Sequence, residues 1–332
     1  MQDRYAGDVG DYGKIGLLKC LQVHGFSIGV NWYHVPEMEI EKNQDGTFKQ
    51  DDGKHLVPDS LKECDPELAE KLTKIAKGRN RSISAIQRAN LIPDAVYYND
   101  SLTVDGRSEW HERSMKVLKD ADLVFMDPDN GLLVKSVGKK SVRSVKYTFY
   151  EEIKDYIDSG RSVLVYNHRS RKPENDYFDD LEDKLQKNVR VYRHLIQEIT
   201  FPKGSIRDYF AIPACKEHYE MICKAFADMK GSKWGQLGVC RLHPEWADEL
   251  DIDYMTYDDH IFTEIECESF KEDSTFEEYK EDIIRYLTLS TWKYTEKQAM
   301  AIVEREMNYI EESFDNKESV ADTAVEIGYA CG

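Results

Sequence analysis

The 332-residue chain has no run of about 18 apolar residues, so nothing in it reads as a membrane-crossing helix. Glycine and proline are sparse, at 19 and 9 residues, and 41% of positions are hydrophobic, which excludes a collagen-like, low-complexity or disordered chain. The seven cysteines (Cys20, Cys64, Cys215, Cys223, Cys240, Cys267 and Cys331) are odd in number, widely spaced and lack a C-x-x-C pair. Neither a disulfide scaffold nor a zinc knuckle is expected, and the thiols read as reduced and mostly buried. Met1-Gln2-Asp3-Arg4-Tyr5 shows neither a basic leader nor an apolar stretch, so the cytoplasm is the expected location and no membrane partner is expected. The patterns G-x-x-x-x-G-K-[ST], G-x-S-x-G and H-E-x-x-H are also missing, which leaves P-loop, serine-hydrolase and zincin chemistries without a carrier.

What is present is an uneven charge. The formal net charge is -18, yet residues 1–244 hold 38 acids and 38 bases, while residues 245–332 hold 25 acids and 7 bases. The excess therefore belongs to the last quarter, and repulsion of a polyanion would come chiefly from there. Within the balanced body, three stretches carry bases without acids: Lys74–Arg88, Lys135–Lys146, and Arg161 with Arg169, Arg171 and Lys172. Together they predict an anion-binding face that meets nucleic acid or a nucleotide. The acidic tail is expected either to face a protein partner or to shield that basic face.

The length fits about two domains. Asp65-Pro66 predicts a helix start running to Lys77. Ala121–Met126, apolar but for Asp122, and Ser162–Tyr166, apolar after Ser162, are of strand length, as strands of a parallel sheet buried on both faces are. Each ends in a polar tip, Asp127-Pro128-Asp129-Asn130-Gly131 and Asn167-His168-Arg169. Residues 7–14 read as loop, with a helix over 15–23 and a strand over 26–35; 189–199 and 205–212 read as antiparallel strands. The alternation predicts an α/β domain over 1–244, an open Rossmann-like, mostly parallel sheet with antiparallel closing strands. An acidic linker or extension over 245–275 and a small acidic helical module over 276–332 follow. In the module, 296–313 reads as one helix with a stripe of Ala299, Ile302, Met307 and Ile310.

Three constellations carry candidate chemistry. Gly7-Asp8-x-Gly10-Asp11-x-Gly13-Lys14 sets two carboxylates three residues apart among glycines that admit a ligand close to backbone amides. Gly7, Asp8, Gly10, Asp11 and Lys14 are the expected cofactor contacts, with Asn130. The second is the tip after Ala121–Met126, where a rigid acid, Asp127, accepts a hydrogen bond from a substrate amine or joins Asp129 in holding a cation. The third is His168, a candidate general base or ligand. Asp127, Asp129 and His168 are the candidate catalytic residues; Arg169, Arg171, Lys139, Lys140 and Arg143 are the candidate phosphate contacts.

The Asp11-x-x-Lys14 start, followed much later by a strand ending in Asp127-Pro128, resembles the Rossmann-like adenine-N6 methyltransferases, in particular the ribosomal RNA adenine methyltransferase type. In that class an Asp-Pro-Pro-Tyr tetrad holds the target amino group and stacks a flipped base, with S-adenosylmethionine nearby. Asp127 and Pro128 match its first two positions; Asp129 and Asn130 depart from the last two, and Val30–Pro36 lacks the glycine expected after the first cofactor strand. The resemblance implies an S-adenosylmethionine-dependent enzyme acting on a nucleobase amino group, with Tyr12, Trp32, Tyr33 or Trp110 as the stacking ring. Two alternatives stand beside it. One is a nuclease or nucleotide phosphohydrolase using Mg²⁺ or Mn²⁺ on Asp8, Asp11, Asp127 and Asp129, with His168. The other is a non-catalytic binding protein with a degenerate α/β site.

Overall fold

The structure is a computed structural model that describes residues 2–35, 56–169, 172–191, 193–202, 206–241, 274–289, 296–320, 323–324 and 327. The chain divides into two compact units, Met1–Val191 with Leu195–Met255, and Tyr192–His194 with Thr256–Gly332. The expected boundary at 244 and the extension over 245–275 fall almost wholly outside the described residues.

The first unit is α/β, built on a mixed seven-stranded sheet. Its strands are β1 (Ile28–Asn31), β2 (Val96–Tyr98), β3 (Leu123–Met126), β6 (Ser162–His168), β7 (Gln197–Phe201), β8 (Arg207–Ile212) and β9 (Cys240–Arg241), in the order β2-β1-β3-β6-β8-β7-β9. The first four run parallel, and the last three pair antiparallel. A short parallel pair, β4 (Gly131–Leu132) and β5 (Tyr147–Thr148), stands beside it.

Alternate residues of β3 and β6 explain their continuous apolar character. Leu123, Phe125 and Leu164 join one core cluster, while Val124, Met126, Val163 and Val165 are buried on the opposite face. The first cluster is capped by α1 (Val9–Val23), α2 (Pro66–Lys77), α3 (Ile83–Arg88) and α7 (Lys216–Gly231). Helix α4 (Arg107–Val117) leads into β3, α5 (Tyr150–Asp158) and α6 (Glu174–Val189) flank β6, and α8 (Lys233–Gln236) precedes β9. From β1 the chain crosses outward to β2 and then returns past β1 to β3. The order of strands thus reverses between β1 and β3, where ligands of open α/β sheets bind at the carboxyl ends.

Two local expectations change. Helix α1 starts at Val9, not at residue 15. Asp8 caps it by accepting from the N–H groups of Gly10 and Asp11, and its glycines serve packing: a Cβ on Gly10, Gly13 or Gly16 would come within 3.0 Å of Arg207, Phe201 or Trp234. Each glycine costs about 1 kcal/mol of helix propensity against alanine, which tertiary contact offsets. Residues 189–191 and 193–196 are not strand: α6 continues to Val189 and ends on Arg190 at a φ of 63°, and Arg193–Leu195 form a short 3-10 turn. Beyond it, β7 covers Gln197–Phe201 instead.

In the second unit α9 (Phe276–Leu289), α10 (Glu296–Arg305) and α11 (Met307–Asp315) surround a core that includes Tyr279, Ile283, Ala299, Ile302 and Ile310. The expected stripe is thus an interhelix core, but the helix over 296–313 breaks at Glu306. No described helix is long and apolar enough to cross a membrane. The side chains of Cys20, Cys64, Cys215 and Cys223 are half-buried.

Candidate active site

The first turns of α1 carry their polar side chains to the carboxyl end of β3. The N–H of Gly7 donates to Asp11 Oδ2 at 2.6 Å. One turn on, Lys14 Nζ lies 3.0 Å from Asp11 Oδ1 and donates to both oxygens of Asp127, at 2.9 and 2.7 Å. Asp127 leaves β3 beside β1, its N–H donating to the carbonyl of Asn31. The rings of Trp32 and Tyr166 each stand 5.9 Å from the ammonium. The result is a cation held between two carboxylates and two aromatic rings, at the reversal of strand order.

This centre is closed: Asp11, Lys14 and Asp127 are 0%, 6% and 2% exposed. Burial pushes the Asp11 and Asp127 carboxyls up, and Lys14 opposes that in both. Burial would lower the Lys14 ammonium, but Asp127 and Asp11 outweigh it and hold the pKa well above the usual lysine range. The ammonium is thus the counter-ion that opposes the effect of burial on both acids.

Asp129 has different partners. It accepts from Gln2 Nε2 at 2.6 Å and lies 3.9 Å from Lys146 Nζ. Burial raises its carboxyl, but surrounding positive charge, Lys146 included, brings it below the usual range. Asn130 is exposed and acts through its backbone, donating to the carbonyl of Lys146 and accepting from the N–H of His168. Gly131 follows at a φ of 104°, where a Cβ would meet Asn167 Oδ1 at 1.9 Å; the expected turn at Asn130-Gly131 is therefore glycine-specific. His168 is exposed and pairs in register with Arg207. Partial burial, then the Arg207 charge, keep its imidazole below the usual range.

Gly7 and Gly10, expected against a ligand, face protein instead. A Cβ on Gly7 would lie 2.7 Å from the carbonyl oxygen of Leu72 in α2, and Gly10 meets Arg207. The guanidinium of Arg169, an expected phosphate contact, is engaged internally. Nε and Nη2 grip both oxygens of the fully buried Asp208 at 2.9 and 2.6 Å, and Thr200 and Glu174 take further donors. Lys139 pairs with Glu151, whereas Lys140 and Arg143 are exposed on the β4–β5 connection. Arg171 lies outside the described residues. Of the candidate stacking rings, Trp32 borders Lys14; Tyr12 hydrogen-bonds the carbonyl of Leu61, Tyr33 donates to Glu152, and Trp110 packs on Tyr33.

Among the described residues no group of three or more His, Cys, Asp or Glu side chains is arranged to hold a metal ion. The position between Asp11 and Asp127 belongs to Lys14. After β1, where no glycine is available, Tyr33 itself takes a positive φ of 47°. Its N–H donates to Asn31 Oδ1, and its hydroxyl is fixed on Glu152, which Arg107 grips at 2.6 and 2.8 Å. A left-handed tyrosine is costly, and such strain concentrates at functional turns.

Sequence reasoning passed over Gln2, Arg207 and Tyr209. Arg207 and Tyr209 share one face of β8 by strand alternation, and Tyr209 lies fully buried within electrostatic reach of Lys14 and Asp127. Alternation puts the two residues together but does not say which face meets α1. A cavity of about 20 Å³ beside them, lined by Gly10, Gly13, Phe201, Arg207, Tyr209 and Trp234 among others, has room for about one water. Comparison with protein-family models, curated proteins and solved structures finds no match.

Proposed function

We propose that the first unit is a Rossmann-like, S-adenosylmethionine-dependent methyltransferase-like protein acting on a nucleobase amino group. One observation carries the reading. The two fragments of the resemblance, Asp11-x-x-Lys14 and Asp127-Pro128, meet in a single ion pair at the carboxyl end of β3, beside the reversal of strand order. The cage of two carboxylates and the rings of Trp32 and Tyr166 is filled by the Lys14 ammonium and has no place for the cofactor's own positive charge, so the reading rests on the meeting of the two fragments alone.

When bound, S-adenosylmethionine supplies an electrophilic methyl group. The chain's own part is positioning. Lys14 opposes the effect of burial on Asp127, and an ionised carboxylate has lone pairs beyond those the ammonium uses. Asp127 accepts from the exocyclic amine and fixes its direction, while the rigid Pro128 exit holds the acid at constant height. Exclusion of water by the buried walls strengthens that hydrogen bond. Of the four candidate stacking rings, Trp32 is the one that borders Lys14.

Calorimetric titration of the full chain with S-adenosylmethionine, and transfer of a labelled methyl group to RNA and DNA oligonucleotides, test the reading. Saturable binding is expected, and Asp127→Asn should lower transfer by about 100-fold or more, as loss of an orienting polar group does. A folded protein that neither binds nor consumes S-adenosylmethionine overturns it.

A further inference from the structure

Folding separates the three basic stretches. The third is turned inward: Arg169 is held by Asp208, and Arg161, at the amino end of β6, is buried and donates to the carbonyl of Met115 and to Ser159 Oγ. The other two come to the carboxyl edge of the sheet. Strand β4 lies against the tip of β6, where the N–H of Leu132 donates to Asn167 Oδ1 and the carbonyl of Asn130 accepts from His168. The α2–α3 connection lies against the start of the chain: Arg81 Nε donates to the carbonyl of Ala6 at 2.7 Å, and the N–H of Ile83 donates to Asp3 Oδ1. Gln2 of that same segment bonds Asp129, which is 3.9 Å from Lys146 at the end of the β4–β5 connection. The chain from residue 2 to residue 6 reaches at most about 14 Å, so the two stretches flank one short segment.

Their bases are available. Lys74, Lys77, Arg79 and Arg88 are exposed and make no ion pair among the described residues. The same holds for Lys135, Lys140 and Arg143 on the other side, and neither stretch contains an acid. Lys74, Lys77 and Arg88 stand in last helical turns, where the dipole favours cations, but Arg79, Lys135 and Lys140 stand in no helix. Along the outer face of α2 runs an open groove of about 440 Å³, lined by Lys62, Lys74 and Lys77 against one acid, Glu70.

We propose that this two-part basic edge is a docking surface for the phosphate backbone of a nucleic-acid strand. That the strand is a substrate rests on the function proposed above; the binding itself does not. The bases are spread along an edge instead of converging on one point, which suits a row of phosphates and not a single small anion. Exposed cations meet phosphates without giving up an internal partner, whereas Arg169 would have to abandon Asp208. Val134 and Val142 are the exposed large apolar side chains described on the β4–β5 connection, and Lys74–Arg88 has none, which is too little for insertion into a lipid interface. The edge is also the one at which Asp127 leaves β3, so a strand held there lies along the candidate site.

Binding of a labelled single-stranded RNA oligonucleotide to the cofactor-free full chain, followed by fluorescence anisotropy from about 50 to about 200 mM salt, tests the surface. Each phosphate neutralised on a single strand adds about 0.7 to the fall of log K with log salt. Lys74→Ala/Lys77→Ala/Arg79→Ala and Lys135→Ala/Lys140→Ala/Arg143→Ala should therefore each reduce that slope by about 2 and weaken binding by at least about tenfold at the lower salt. A control, Lys116→Ala/Lys119→Ala, removes exposed bases where α4 leads into the amino end of β3, and should leave slope and affinity unchanged. All the replaced side chains are exposed, so the variants should fold as wild type does. A wild-type chain that does not bind, triple variants that bind like wild type, a control that loses as much per charge removed, or capture by phosphatidylserine vesicles in preference to RNA would each overturn the proposal. A chain that binds RNA at this edge but ignores S-adenosylmethionine refutes the function and keeps the surface. One that binds S-adenosylmethionine while both triple variants bind RNA normally does the reverse.

Discussion

Replacing Lys14 by Met isolates the electrostatics of the buried centre. Methionine keeps most of the side chain's length and removes the charge. At about 3 Å and an effective dielectric near 20, each Lys14–carboxylate attraction is worth on the order of 5 kcal/mol. Against this stand several kcal/mol of desolvation per ion and the mutual repulsion of Asp11 and Asp127. Removing the cation leaves those costs uncompensated, so Lys14→Met should destabilise the first unit by about 3–5 kcal/mol at pH 7.5, the usual range for breaking a buried pair. Both carboxyls are already raised by burial with Lys14 present; without it they rise further. The folded variant then takes up protons that the unfolded chain does not, and its stability increases as pH falls toward the raised values. The deficit relative to wild type should therefore shrink between pH 7.5 and pH 5. Urea unfolding at the two pH values measures this directly. A loss below about 1 kcal/mol, or a larger loss that is the same at both pH values, would refute the compensating role given to Lys14.

The same lysine controls alkaline behaviour. Its folded pKa is raised, so its contribution is complete below the unfolded value near 10.5 and is lost as pH rises through the folded one; base titration monitored by circular dichroism should lose this step in Lys14→Met. Arg169→Ala removes both guanidinium donors from the buried Asp208 carboxylate, leaving the hydroxyls of Thr200 and Tyr177, and should cost roughly 3 kcal/mol in urea unfolding; a loss below about 0.5 kcal/mol, by order of magnitude within the range of an exposed pair, would mean that the guanidinium is not committed to Asp208. Gly131→Ala combines a positive φ with a collision at Asn167 and should cost about 3 kcal/mol or more, with Asn167→Ala in the same chain restoring part of it by removing the side-chain collision but neither the strain nor the 2.8 Å approach to the Cα of residue 167.

Much of the architecture was legible because the apolar pattern and the chemistry of element ends are local. Ala121–Met126 and Ser162–Tyr166 could hardly be anything but strands buried on both faces, and Asp65-Pro66 announced α2, with its cap accepting from the N–H of Leu68. The start of α1 was not legible. Three glycines in its first turns argue for a loop, and only the close approach of Arg207, Phe201 and Trp234 explains why helix wins. The candidate site divides the same way. Asp127 at a strand tip follows from the run before it, but its partner 113 residues earlier does not. Arg169 looked like a free cation because its ligand, Asp208, sits on a neighbouring strand reached only after another helix and strand.

The order of amino acids by itself determined the two central buried strands, the start of α2, where the polar tips fall and that the acidic excess lies in the last quarter, since each depends on neighbours a few residues apart. Which tips share a centre, which charges neutralise one another and whether that centre is open were decided by strand order and by the packing of α1 on the sheet. Those depend on distances between residues far apart in the chain, which no local pattern contains.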